Sequence, residues 1–182
     1  MTDNEMMIAM ILEIENQLTL VGVTDFEVGR DHQPTNQHTG SGKDDTIKTR
    51  VFLYSITKSS DGHGRRYTQG VTFDRTDFQQ KSKSMQVSVI HSFNEADINA
   101  RTPEDMADLI HDLLDSPDAI FNLRAKGIFL QNVGDVRPVF FTNNNDRNES
   151  VPNFDVKLNY SSSITKVAGY VDHAVGEVII GA

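Results

Sequence analysis

Two stretches of the chain alternate residue by residue, and they constrain the fold more than any other feature. From Thr46 to Thr57, Ile47, Thr49, Val51 and Leu53 fall on one side and Lys48, Arg50, Phe52, Tyr54 and Ile56 on the other. From Lys83 to Ser92, Met85, Val87, Val89 and His91 alternate with Ser84, Gln86, Ser88, Ile90 and Ser92. A period of two sends successive side chains to opposite faces of a pleated sheet. Each stretch is therefore expected to be a strand with one dry and one wet face, as antiparallel sheets allow. Phe154, Val156, Leu158 and Tyr160, alternating with Asp155, Lys157, Asn159 and Ser161, repeat the pattern. Between the first two stretches, SSDGHG at 59–64 has turn chemistry, and Tyr67 to Phe73 is expected to return as a strand.

Helical periodicity marks the rest. In residues 3–18, Met7, Ile8, Ile11, Ile14 and Leu18 recur at spacings of three or four, and acids cluster at the start, where the helix dipole favours them. Thr102 stands as an N-cap, Pro103 at the first helical position, and Glu104 and Asp105 in the first turn. Met106, Leu109, Ile110, Leu113 and Leu114 then form one apolar stripe that should cover the sheet. Asp118 to Lys126 reads as a short helix ended by Gly127. Ile128 to Val133 and Pro138 to Thr142 read as strands or strand pieces, and 31–45 and 143–150 as loops. The expected class is α+β, sandwich-like: a mainly antiparallel sheet with a long hairpin, packed by two main helices and a short one. One domain is expected over 1–182, with a protruding hairpin at about 57–83 and a C-terminal arm at about 166–182.

Composition narrows the chemistry. Among 182 residues there is no Cys, which excludes a disulfide framework, thiolate metal sites and a cysteine nucleophile. The apolar run Met6–Leu12 is far shorter than the roughly 20 residues a bilayer requires. No Lys or Arg precedes Arg30, so a basic leader segment is not expected, and the protein is expected to be soluble and not exported. The net charge of −9 is unevenly spread. Residues 1–29 carry six acids and no base, 30–83 ten bases and six acids, and 84–123 one base and eight acids.

Candidate motifs fail on context. TGSGKDDT at 39–46 lacks the earlier glycine of a phosphate loop and has Asp44 where a hydroxyl must follow the lysine. Ser-Ile-Thr-Lys at 55–58 and 163–166, read as lying at strand ends, lacks the companion elements of a serine acyl-enzyme. His32, His38, His63, His91, His111 and His173 show no helical ligand spacing. The carboxylate pairs Asp44-Asp45, Glu104-Asp105 and Asp112 with Asp115 suit a loop or a solvated helix face better than acid–base work. The formal sequon Asn148-Glu149-Ser150 has meaning only in an exported chain. No catalytic residue, metal site or cofactor is expected. Arg65, Arg66, Arg75, Lys81 and Lys83, interleaved with Tyr67, Phe73 and Phe78, form a basic segment. Such a segment suits either a nucleic-acid reader or a subunit contact, and the acidic remainder of the chain favours the contact.

The order of elements adds a resemblance. The strand leading to GRDHQPTNQ, the strand IKTRVFLYSI, the basic hairpin, and then KSMQVSVIHSFNEADINARTPEDMADLIHDLLDS, DAIFNL and NFDVKLNYSSSI resemble the bacteriophage tail terminator, or neck terminator, proteins over most of residues 3–165. The resemblance implies a non-enzymatic virion protein at the neck, assembled in the host cytoplasm, with six copies forming a ring that caps the tail tube. The implied partners are further copies of itself, the tail tube protein, a head–tail connector or head completion protein, and sheath where the tail contracts. Genomic DNA would pass through the lumen without specific binding, since an acidic wall repels phosphates. Another head–tail joining or tail-tube-like ring protein has much the same element order. A nucleic-acid-binding module or enzyme using the basic hairpin is the alternative of a different class. The residues expected to meet a neighbour are Arg65, Arg66, Tyr67, Lys81 and Lys83 in the hairpin and Tyr170, Val171, Ile179 and Ile180 in the apolar tail.

Overall fold

The computed structural model describes residues 1–30, 48–69, 73–92, 99–142 and 148–168. Its elements, in chain order, are α1 (Asp3–Leu20), β1 (Phe26–Arg30), β2 (Thr49–Gln69), β3 (Phe73–His91), α2 (Pro103–Leu114), α3 (Pro117–Ala125), β4 (Ile128–Val133), β5 (Phe140–Thr142), β6 (Asn148–Ser150) and β7 (Asn153–Ala168). The main sheet runs β1-β2-β3-β7-β4, and β5 pairs with β6 in a small second sheet. β1 lies parallel to β2, and the other pairings are antiparallel. The fold is α+β. No helix among the described residues is long and apolar enough to cross a membrane.

The alternating strands behave as their period dictates. Val51, Leu53, Met85, Val87, Val89, Phe154, Val156, Leu158 and Tyr160 are buried on one face, where the helices supply Met6, Met7, Met10, Ile14, Met106, Ile110, Leu114 and Leu123. On the opposite face Arg50, Tyr54, Gln86, Asp155 and Asn159 are half-buried and Lys157 is exposed. In α1, Met7, Ile14 and Leu18 of the expected stripe are buried and Ile11 packs against the core. Met6, Met10 and the polar pair Glu13 and Gln17 face inward, while Ile8 and Leu12 are about half exposed.

Both main helices begin with a complete capping box, so orphan amides are satisfied on both sides of the cap. In α2 the Asp105 amide donates to the Thr102 hydroxyl at 3.2 Å and the Thr102 amide donates to the Asp105 carboxylate at 2.9 Å. Donation to that carboxylate from the Thr102 amide, and then from the Thr102 hydroxyl, holds the Asp105 carboxyl below its ordinary value. Thr102→Ala should cost about 1 kcal/mol of stability, the usual magnitude for a lost cap, read as a lowered midpoint in urea unfolding followed by circular dichroism. A loss below about 0.3 kcal/mol would show that tertiary packing alone holds this helix end.

The hairpin is longer than the sequence suggests. SSDGHG is not its turn: β2 runs unbroken through these residues to Gln69 and pairs with β3 as far as Phe73. The register slips at Ser55/Thr57 and at Asp61/His63, leaving Ile56 and Gly62 as extra residues. Gly62 has φ +68°, a left-handed conformation that a side chain resists, so turn-forming residues here make a bulge inside a strand. Both Ser-Ile-Thr-Lys copies likewise lie within strands, in β2 and β7. Asn148–Ser150, expected in a loop, form β6.

Candidate functional site

β1 pairs with β2 only at residues 49–53, and β4 pairs with β7 only at 156–160. Beyond those positions β2, β3 and β7 continue together as a three-stranded arm, with cross-strand pairs out to Gln69↔Phe73 and Phe73↔Ala168. From Thr57 to Gln69, at about 3.3 Å per residue, the arm extends roughly 40 Å. Among the described residues no helix covers it past its root.

The root is an electrostatic knot built on the first turn of α1. Lys58 Nζ donates to Asp3 Oδ2 at 2.8 Å, and the Tyr160 hydroxyl donates to Asp3 Oδ1. Lys81 Nζ and Lys83 Nζ each lie 3.9 Å from the same carboxylate. Lys81 also sits over the Tyr160 ring, 5.8 Å from its centroid. Asp3 thus ties β2, β3 and β7 to α1 where the arm leaves the core. Nearby, Arg30 donates to Asn4 Oδ1 at 2.7 Å, and the Met1 ammonium donates to the Ser161 carbonyl at 3.2 Å.

Titration behaviour follows from this crowding. Burial alone would raise the Asp3 carboxyl, but hydrogen bonds from Lys58 and Tyr160 and the charges of Lys83 and Lys58 hold it down at about 2. The Lys83 side chain is only 3% exposed. Burial pushes its ammonium below the ordinary lysine value, Asp3 opposes that, and Arg30 and Lys58 add to the lowering. Burial, and then the bond to Asp3, push the Tyr160 hydroxyl up.

The residues singled out from the sequence divide three ways. Lys81 and Lys83 come together at the root, with Lys83 inside rather than on the surface. Arg65, Arg66 and Tyr67 lie in the distal part of β2, opposite Asp77, Thr76 and Arg75. Tyr170, Val171, Ile179 and Ile180 lie outside the described residues, as do the loop at 31–45, His32, His38, His173 and Asp44-Asp45. His91 Nδ1 shares a hydrogen bond with the Thr49 hydroxyl at 2.8 Å, and burial lowers its pKa, helped by Arg101 and Lys48. The His111 ring meets Phe154 edge-on at 5.6 Å. Among the described residues no group of three or more His, Asp or Glu is placed to hold a metal. Glu104 accepts from the Ser150 hydroxyl and Asp105 caps α2, so this acid pair has structural employment.

Asp3, Lys58 and Tyr160 escape sequence reasoning because their pairing spans 55 and 157 positions of chain. The nearest signal is an acid in the first turn of a helix, which the dipole explains by itself. Register also sorts the charges of the arm, because residues directly opposite each other share a face. On the face that continues the core side stand Lys58, Arg65, Arg75, Lys81, Lys83 and Lys166, with Asp77 as the one acid. The other face is mostly Ser and Thr, with Asp61, Arg66 and Asp74. Arg75 binds Asp77 through two hydrogen bonds of 2.8 and 2.9 Å.

Comparison with curated proteins returns no match. Residues 5–170, which run from within the first turn of α1 through β7 and include the whole arm, match the family described as E217 gateway protein gp29, and the chain belongs to that family.

Proposed function

We propose that this chain is a non-enzymatic structural protein of the phage neck, joining head to tail as one ring of the passage between them. Membership of a gateway family over residues 5–170 carries the reading. The resemblance to tail terminators sharpens it: the ring would hold six copies, cap the tail tube, and offer its other side to the connector or head completion protein. Sheath would be a further neighbour in a contractile tail. Residues 1–182 would act as one domain, with the hairpin at about 57–83 and the segment 166–182 as arms that reach neighbours. Genomic DNA would pass through without specific binding, in keeping with a net charge of −9.

Purified protein mixed with purified tail tubes tests this directly. Negative-stain images should show an extra ring at one tube end, and labelled protein in intact particles should lie between head and tail. Protein found on the capsid surface or at the distal tail tip, or tubes that stay bare, would overturn the reading.

A further inference from the structure

We infer that the helix-side face of the arm is a docking surface for the acidic face of α2 in a second copy of this chain, so that successive copies join head to tail. The inference rests on the ring reading above and adds to it the two surfaces that meet.

The first observation is a sheet face without its cover. Over residues 49–53, 85–89 and 154–160 this face is buried under three helices. The same face continues along the arm, and past the Asp3 knot no described element lies on it. Ile164, opposite Asp77 on this face, is 59% exposed. A strand face that carries an exposed Ile between basic positions fits a partner bringing acids and some apolar area.

The second observation is a helix face with the opposite character. Asp105, Asp108, Asp112 and Asp115, spaced three, four and three residues apart, form one exposed stripe along α2. Among the described residues none of the four forms an ion pair with Lys or Arg; His111 lies 3.0 Å from Asp112. Phe121 on the adjoining α3 is 72% exposed and supplies the apolar counterpart to Ile164. Lengths agree as well. The stripe runs about 15 Å at 1.5 Å per residue, and the basic positions from Arg75 to Lys81 span about 20 Å.

Third, one copy cannot make this contact with itself. His111 of α2 meets Phe154 edge-on and Glu104 accepts from the Ser150 hydroxyl, which places α2 over the start of β7. The arm leaves from the far end of the same strand, past Tyr160. Two complementary surfaces at opposite ends of one molecule make a heterologous contact, which closes into a ring when the rotation between copies permits.

The experiment is a charge swap followed by sedimentation velocity over a range of concentrations. Arg65→Glu with Lys166→Glu removes most of the arm's positive charge, and Asp108→Lys with Asp112→Lys cancels the negative charge of the helix stripe. Each pair should raise the concentration for half-assembly at least about tenfold, and combining all four should bring it back to within about threefold of wild type. Because the chain has no native Cys, Ile164→Cys with Asp112→Cys gives a second readout. Oxidation should cross-link successive copies if the two positions approach within about 7 Å. Charge variants that all assemble as well as wild type, with no cross-link, overturn this contact and leave the ring reading standing. Wild-type protein that stays monomeric at high concentration overturns both. Salt-sensitive binding of a fluorescent DNA duplex, lost in the arm variant while assembly is unchanged, would assign the basic face to nucleic acid instead.

Discussion

Asp3→Ala is expected to lower stability by about 2–3 kcal/mol at neutral pH, because it leaves several cations without the carboxylate that gathers them. Lys58, Lys81, Lys83 and the Tyr160 hydroxyl all converge on that side chain. Lys83, at 3% exposure, cannot recover full hydration when its neighbour is removed. For a domain near 180 residues such a loss lowers the melting temperature by roughly 4–12 °C. Lys83→Met should behave differently. It removes one of three crowded cations and puts an apolar chain of similar length in a buried position, so its stability should stay within about 1 kcal/mol of wild type or exceed it. Equal, large losses in both variants would show that Lys83 depends on contacts other than Asp3.

The same carboxylate sets an acid limb. Its folded pKa, about 2, lies below the ordinary 3.8. A depressed carboxyl contributes stability that is fully present above the unfolded value and is lost as pH falls through the folded one. The contribution should therefore fade between about pH 4 and pH 2. The Asp3 side chain is 31% exposed, so solvent screening reduces the shift's full worth to about 1–2 kcal/mol. Urea unfolding at several pH values should show wild type and Asp3→Ala converging over this range. Parallel curves would mean that Asp3 titrates as it does in the unfolded chain.

What the sequence made legible is local. The α2 cap is four consecutive residues, Thr102 to Asp105, and its stripe repeats within one helix, so nearby chain determines both. The buried faces of β2, β3 and β7 follow from a period of two. Partners far apart in the chain are what escaped. SSDGHG has the residues of a turn, yet pairing with β3 across the whole arm carries the strand through it and uses Gly62 as a bulge. Each bulge shifts the alternation by one residue, so the basic residues of β2 fall on their final faces only once both bulges are known. In α1, the presence of Glu13 and Gln17 on the buried side depends on α3, more than a hundred residues away. Composition likewise finds the basic segment, whereas its concentration on one face is a property of three strands in register.

That buried acid in α1 should be the second point of failure. Glu13 is 2% exposed; its Oε1 accepts from Gln17 Nε2 and from Asn122 Nδ2, each at 2.9 Å, and its Oε2 lies 3.5 Å from Lys126 Nζ. It is a polar link that ties α3 and the Lys126 that follows it to α1. Glu13→Ala would leave two inward-facing amides without their acceptor and open a small void beside them. Each unpaired buried donor costs about 1 kcal/mol or more and the void adds to that, so a loss of about 2–4 kcal/mol is expected. Glu13→Gln keeps the shape and one accepting oxygen but turns an amide toward Lys126, and should cost about half as much. Asn122→Ala removes a single donor and should cost less again, about 1 kcal/mol. Because Glu13 and Asn122 share one hydrogen bond, the double variant should lose less than the two single losses together, which unfolding of all four proteins in urea would reveal. Strict additivity would mean that α3 is held to α1 by its apolar contacts alone. In that case the acid's place in the core would need another cause.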